Sequence, residues 1–466
     1  MADSSNDRAF DPARRDLLKG VVLAGAGTLL GTTDQANAAE APHTGPITLV
    51  EPAPTASSMI GVPFEKHGTV RVAIVGTGLR GRSVLHELCG VDNVRITALC
   101  DTVPAKIDAA VKQMKASGHD YEPARFTGSE AAYQQLVQRE DIDLVYTATP
   151  WEFHVPVCLA ALKAGKHAAT EVPAAYTIDD CWKLVDASER ARRHCIMMEN
   201  CSYGYNELLV LNMVRAGAFG DLLHGGAAYN HDLRAILFEN RDEGLWRRAH
   251  HTRRNANLYP THGLGPVAAY MNINRGDRFD YIVSMSTPAM GLAKWRADHE
   301  PKESPKWKEK YVAGDLSSSL IKTANGRTIR LEHDVSSPRP YSRINSIQGT
   351  KGIFEDYTAR IYIEGDGAAH RWTAIDGYKA RYEHALWREL GEKARSGGHG
   401  GMDYVMVYRL VQLMREGLAP DMDVYDAAAW SAPGQLSELS AAKGSMPVRF
   451  PDFTRGKWSG ARTMIG

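Results

Sequence analysis

From Thr69 to about Met198 the chain alternates short, β-branched apolar runs with segments of helical period. The apolar runs are Val70–Val75, Val94–Cys100, Leu144–Ala148, His167–Thr170 and Cys195–Met198. Continuous runs of this kind suit strands covered on both faces. Helical patterns lie between them, including Pro156–Ala164 and a segment capped by Thr177 with Asp180 three residues later. Such a βαβ rhythm predicts a doubly wound parallel sheet. Beyond Asn200 the pattern changes. A helix over Glu207–Ala216 leads into extended segments at Leu222–Tyr229, Asp280–Ser286, Ser317–Thr323, Thr328–Val335 and Arg343–Gln348. Asn325-Gly326, between two of these, is a hairpin signal, and a late helix is expected over Met402–Arg415.

The first strand runs into Gly76-Thr77-Gly78-Leu79-Arg80-Gly81, and Asp101 ends the next apolar run. Each part has a physical task in holding a dinucleotide. Gly76 permits the tight strand-to-helix turn, Gly78 lets backbone approach a pyrophosphate, and Gly81 lets the helix lie close on the strand. The helix N-terminus faces the phosphates. Asp101 would accept from the adenosine ribose hydroxyls and repel a 2′-phosphate, which favours NAD over NADP; Arg80 and Arg82 run against that preference. The fold class expected is therefore α/β. An N-terminal Rossmann-type, doubly wound parallel sheet over residues 69–199 is followed, over residues 200–466, by an α+β domain with a mostly antiparallel sheet.

Ahead of this lies Arg14-Arg15 in Ala13-Arg14-Arg15-Asp16-Leu17-Leu18-Lys19, then a modest apolar run over Val21–Leu30 and the small residues Ala36-Asn37-Ala38. Residues 1–39 read as a twin-arginine (Tat) signal peptide and residues 40–68 as an arm or linker rich in Ala, Pro and Thr. The apolar run is too short and glycine-rich for a membrane span. Since that pathway exports folded proteins, a periplasmic or secreted location with the dinucleotide already bound is expected.

Lys+Arg and Asp+Glu each total 55, so no global charge points to nucleic acid or an anionic membrane. The six cysteines have no CxxC or CxxH spacing and read as buried free thiols, and no metal site is expected.

Candidate chemistry clusters at strand ends and in later loops. Trp151 and His154 follow one strand and could line the nicotinamide ribose; Glu171-Val172-Pro173 follows another. Here the chain resembles the glucose–fructose oxidoreductase and inositol dehydrogenase-like proteins. Those usually read Glu-Lys-Pro at this point, with the lysine handling the proton of hydride transfer. Val172 moves no proton, so an ordinary alcohol dehydrogenase mechanism is in doubt. Polar and aromatic strings in the second half suit a sugar site: Met198-Glu199-Asn200-Cys201-Ser202-Tyr203, Tyr229-Asn230-His231, Trp246-Arg247, Asn257-Leu258-Tyr259-Pro260-Thr261-His262-Gly263, Tyr341 and Gly398-His399-Gly400-Gly401-Met402-Asp403-Tyr404.

Together, Glu-Val-Pro, Asn-Leu-Tyr-Pro-Thr-His-Gly and His-Gly-Gly-Met-Asp-Tyr resemble glycoside hydrolase family 109, whose founding activity is an NAD-dependent α-N-acetylgalactosaminidase. The resemblance runs from about Val70 to Trp458. It implies that Leu79, Arg80, Asp101, Trp151, His154, Glu171, Val172 and Asn200 contact NAD, and that Tyr229, Arg247, Tyr259, His262 and Tyr341 contact substrate. It also implies a redox detour: a hydride leaves sugar C3, the C2 proton becomes acidic, the aglycone is expelled from C1, water adds, and the hydride returns. Family members of this kind are an exception to two-carboxylate glycosidases. Imidazole suits the proton transfers, and His262 is the expected catalytic residue, at either the C2 or the C3-hydroxyl proton. Two rival readings are a periplasmic sugar oxidoreductase and a non-catalytic NAD-bound sugar-binding protein. A homodimer is also expected.

Overall fold

The computed structural model describes residues 45–466; the twin-arginine segment lies outside the described residues. Six strands, β1 (Val70–Val75), β2 (Val94–Cys100), β3 (Ala124–Phe126), β4 (Leu144–Thr147), β5 (His167–Thr170) and β6 (Cys195–Met197), form one sheet. Their order is β3-β2-β1-β4-β5-β6 and every pair is parallel. The order reverses between β1 and β4, and at such a switch point the carboxyl ends of the strands open a crevice for ligands. Five of the six strands are legible as apolar runs. The three-residue β3, Ala-Arg-Phe, carries no such pattern.

Of the two helices placed from sequence in this half, one differs from expectation. The helix read as Pro156–Ala164 begins five residues earlier, at Trp151, and runs to Lys163 with Pro156 inside it. Pro156 removes the hydrogen bond to the Glu152 carbonyl and its ring crowds that carbonyl, yet the helix continues past it to Lys163. Thr177 caps Ile178–Ala191 as anticipated, its hydroxyl accepting from the Asp180 N–H at 3.1 Å.

The second sheet has nine strands: β7 (Leu222–Asn230), β8 (Phe279–Ser286), β9 (Ser317–Thr323), β10 (Thr328–Asp334), β11 (Ser346–Gly349), β12 (Gly352–Glu355), β13 (Arg360–Ile363), β14 (Thr373–Ala374) and β15 (Val448–Arg449). They run in the order β14-β13-β12-β11-β7-β10-β9-β8-β15. Every pairing is antiparallel except β7 with β10. Asn325-Gly326 turns the β9–β10 hairpin, with Gly326 at φ 85°. Strand β11 starts at Ser346 instead of Arg343, because Ile344 and Asn345 have positive φ and break the extended run.

The arm ahead of β1 is packed down. Met59 and Phe64 are buried in the main core, Ile47 pairs with Val448, and His167 Nε2 donates to Glu65 at 3.0 Å. No helix among the described residues is long and apolar enough to cross a membrane.

Candidate active site

The loop after β1 has the shape a pyrophosphate requires. A Cβ on Gly76 would lie 2.7 Å from the Ala148 carbonyl oxygen, and one on Gly81 only 1.9 Å from the Gly76 oxygen. A Cβ on Gly78 would meet nothing closer than Lys106 Nζ, at 3.8 Å. Glycine is thus compelled by the protein at two positions and left open to a ligand at the third. Asp101 braces this loop: its Oδ2 accepts from Thr77 N–H at 2.8 Å and from the Thr77 hydroxyl, and its Oδ1 accepts from Val103 N–H. The helix Leu79–Cys89 starts directly at the loop. These features fit a dinucleotide.

A cavity of about 350 Å³ opens here. Its lining includes Gly76, Gly78, Leu79, Arg80, Asp101, Trp151, His154, Glu171 and Val172 from the first half of the chain, and Arg247 and Tyr259 from the second. Gly81 stands behind it as a packing residue. Asn200, Tyr229, His262 and Tyr341 are not part of this lining. Three residues that sequence did not single out, Lys106, Asp242 and Glu243, face it as well.

Several cofactor-site residues are held by the protein itself. Arg80 Nε donates to Glu171 at 2.7 Å and its Nη1 to Asp403 at 2.6 Å. Tyr146 also donates to Glu171, at 2.6 Å, and Asn200 Nδ2 donates to Asp403 at 2.7 Å. His399 Nδ1 reaches the same Asp403, at 2.7 Å. Burial opposes ionisation of Asp403, yet the His399 hydrogen bond and the Arg80 guanidinium hold it well below the usual carboxylate range. His154 is fully enclosed, with Nδ1 2.8 Å from the Pro173 carbonyl and Nε2 2.9 Å from that of Thr149. It ties the end of β4 to the end of β5, and burial lowers its pKa. His154 therefore shapes the cavity wall; neither ring nitrogen is free.

His262 is placed differently from the turn expected. It sits in the first turn of the helix Thr261–Tyr270, after Pro260 at the N-cap. Gly263 and Gly265 bring that helix against its neighbours: a Cβ on Gly263 would be 2.2 Å from Ala228 N, and one on Gly265 2.8 Å from Ser202 Oγ. So seated, His262 Nδ1 meets the fully buried Glu199 carboxylate at 2.9 and 3.0 Å. Burial resists the charge on Glu199, but His262 and the Cys201 N–H, 2.9 Å away, hold its pKa below the ordinary value. A carboxylate only accepts, so the proton of a neutral His262 lies on Nδ1 and its Nε2 keeps the lone pair. Cys201 is close to both, but burial pushes its thiol well up, so it remains protonated.

Aromatic rings carry this dyad to the cavity. Tyr259 is 4.9 Å from the His262 ring, 4.6 Å from Tyr229 and 5.7 Å from Trp151. Arg247 lies over Tyr259 at 4.7 Å, Trp151 at 5.3 Å and Tyr229 at 5.8 Å, and donates to Glu243 at 2.6 Å. Burial keeps the phenols of Tyr229, Tyr259 and Tyr341 protonated, so they act as donors. The arrangement combines a dinucleotide cleft, a lone-pair imidazole, fixed positive charge and phenolic donors. Val172, just after the end of β5, lines the cavity with an aliphatic side chain that moves no proton.

A glycine loop braced by Asp101 at a switch point defines an NAD-binding enzyme of the doubly wound class. Residues 70–199 match the oxidoreductase family with an NAD-binding Rossmann fold, and residues 203–460 match the C-terminal domain of glycosyl hydrolase 109. The chain belongs to glycosyl hydrolase family 109. It is 54% identical over 448 residues to a glycosyl hydrolase family 109 protein of Solibacter usitatus, covering 96% of this chain and 98% of the relative. To the α-N-acetylgalactosaminidase of Shewanella oneidensis it is 48% identical over 422 residues, 89% and 92% of the two chains. In fold it is similar to levoglucosan dehydrogenase solved with NADH and L-sorbose. That likeness has a TM-score of 0.64 and 20% identity, and covers 83% of this chain and all of the other. Glu199, Asp403 and the cavity-facing Lys106, Asp242 and Glu243 were missed in sequence; the first two stood in strings noted for their polarity.

Proposed function

We propose that this glycoside hydrolase removes terminal α-linked N-acetylgalactosamine, or a closely related hexosaminide, and that His262 carries its proton transfers. The observation that carries the reading is the His262–Glu199 pair, an imidazole whose Nδ1 faces a buried carboxylate, linked to the cavity through Tyr259, while Val172 in the cavity lining offers no proton-moving group. The Shewanella relative's name supplies the sugar. Bound NAD would supply reversible hydride acceptance at sugar C3. Gly76, Gly78 and Asp101 would hold it, with Trp151 and Val172 beside the nicotinamide end. His262 Nε2 takes a proton from the sugar at C2 or at the C3 hydroxyl and returns it. Arg247 steadies negative charge developing on the ring oxygens, and the Tyr229, Tyr259 and Tyr341 phenols donate to them.

The test is turnover of an aryl α-N-acetylgalactosaminide in D₂O. Aglycone release with deuterium at C2 is expected of the wild type. His262→Ala should lose release by about 10³-fold or more while still carrying NAD. Accumulation of an oxidised sugar without aglycone release would favour an oxidoreductase instead, and ligand binding without turnover a sugar-binding protein.

The Arg14-Arg15 motif supports export to the periplasm in folded form, which changing both arginines to lysine should block. Met285 on β8 and Leu320 on β9, exposed on neighbouring strands, support a homodimer through the open sheet face. Light scattering of Met285→Lys/Leu320→Lys against wild type checks it, with an unchanged mass counting against that face.

A further inference from the structure

A row of tyrosines leaves the His262 dyad and reaches solvent. Tyr229 is 5.6 Å from the His262 ring, Tyr341 is 6.1 Å from Tyr229, and Tyr357 is 5.9 Å from Tyr341. Exposure rises outward, from 7% at Tyr229 through half-buried Tyr341 to 40% at Tyr357. Tyr357 stands on the tip between β12 and β13, and no sequence signal marks it.

Three observations set Tyr357 apart from a stray surface aromatic. Its φ is +62°, a left-handed conformation that a bulky side chain adopts only when its surroundings impose it. Its N–H is clamped by Asp356 Oδ1 at 2.8 Å. One guanidinium serves both outer rings, Arg343 lying 5.7 Å from the centroids of Tyr341 and Tyr357. Arg343 is itself buried and fixed by Glu207 at 2.5 Å, so the pair of rings has a rigid back support. Strain that costs stability at an exposed tip, held over an aromatic row, is a mark of a ligand-facing position.

Resting on the glycosidase reading above, we propose that Tyr357 is the outer wall of the substrate site and stacks on a pyranose ring of the leaving group, the sugar next to the bond that is cut. The direction of the row decides which sugar. The terminal residue must lie deep, beside His262 and Arg247, where C3 can face the nicotinamide; the part expelled from C1 points to solvent. Tyr357 is the exposed end. A rigid tyrosine face gives large contact area to the C–H surface of a sugar at small entropic cost.

The experiment compares two leaving groups on the NAD-loaded enzyme. One substrate is N-acetylgalactosamine α-linked to a galactose, the other the matching methyl glycoside. Tyr357→Ala should lower kcat/KM for the disaccharide by about tenfold or more, mostly through KM, and leave the methyl glycoside within about twofold. Tyr357→Phe keeps the ring and should keep the disaccharide rate. Equal losses on both substrates, or no loss on either, overturn the subsite. An equal loss on serine-linked N-acetylgalactosamine assigns the wall to a peptide and overturns the sugar assignment. A wild type that cleaves none of these substrates sinks the glycosidase reading, and the subsite with it.

Discussion

His262 Nδ1 and the buried Glu199 carboxylate lie 2.9 Å apart, although 63 residues separate them in the chain. The pair resembles the orienting half of a catalytic triad, in which a buried carboxylate fixes one imidazole tautomer. Glu199→Gln keeps the size of the side chain but can offer an NH₂ group where His262 needs an acceptor. A loss of about 10²–10⁴-fold in kcat is expected, with the acid limb of the pH–rate profile displaced and NAD content unchanged. An unaltered pH profile in Glu199→Gln would show that Glu199 only packs.

The glycine loop separates folding from cofactor binding. Gly81→Ala would drive a Cβ to within 1.9 Å of the Gly76 carbonyl, a backbone atom that cannot swing away. Loss of stability by about 3 kcal/mol or more is expected, with poor soluble yield. Gly78→Ala meets only the flexible end of Lys106 at 3.8 Å, so the protein should fold with nearly wild-type melting. What it should lose is NAD, measured per mole after dialysis, because the added methyl occupies the pyrophosphate's approach. Equal melting temperatures for the two variants would contradict this division.

Where the backbone pattern alone decides structure, it could be read. β1, β2 and β5 have the ends that their apolar runs indicate, because strands buried on both faces stop where polar or glycine residues begin. The helix carrying His262 was not legible. Pro260, Gly263, Gly265 and Pro266 look like loop residues in sequence, while in the fold the two glycines leave no room for a side chain: a Cβ on Gly263 would fall 2.2 Å from Ala228 N and one on Gly265 2.8 Å from Ser202 Oγ. Glu199 was hidden for a related reason. A carboxylate that follows an apolar strand can be a solvated turn or a buried partner, and only the arrival of a distant helix distinguishes them. Asp403, which gathers Arg80, Asn200 and His399, depends in the same way on three separate parts of the chain.

Acid should weaken the fold through its histidines before its carboxylates. Burial lowers His167 to about 4, and His194 and His251 to about 3. The unfolded chain protonates these groups near 6.5, so between that pH and about 4 it binds more protons than the folded protein. Stability is then fully present above about 6.5 and drains away as the pH falls. Asp403 and Glu199, held below their ordinary values, give way only at still lower pH. Thermal melting should be flat from pH 8 to 7 and lower by about 5 °C or more at pH 5. A melting temperature constant down to pH 5 would refute the assignment to buried neutral histidines.

Lys106 and Asp242 approach within 3.6 Å across the mouth of the dinucleotide cleft, one from the first half of the chain and one from the second. Lys106 stands beside Gly78, and the segment from Asp242 to Arg247 supplies Glu243 and Trp246 to the same cavity. A half-exposed pair of this kind adds little to stability, typically ~0–1 kcal/mol. Its position matters more, because both residues line the cleft that would hold the nucleotide. Asp242→Asn should therefore leave melting almost unchanged but speed NAD release by about 3- to 10-fold, read from the decay of bound nucleotide under dilution. Raising the salt concentration should bring wild-type release toward the variant's, since screening weakens the same contact. If both proteins release NAD at one rate at low salt, the Lys106–Asp242 pair does not retain the cofactor, and retention rests on the glycine loop and Asp101 alone.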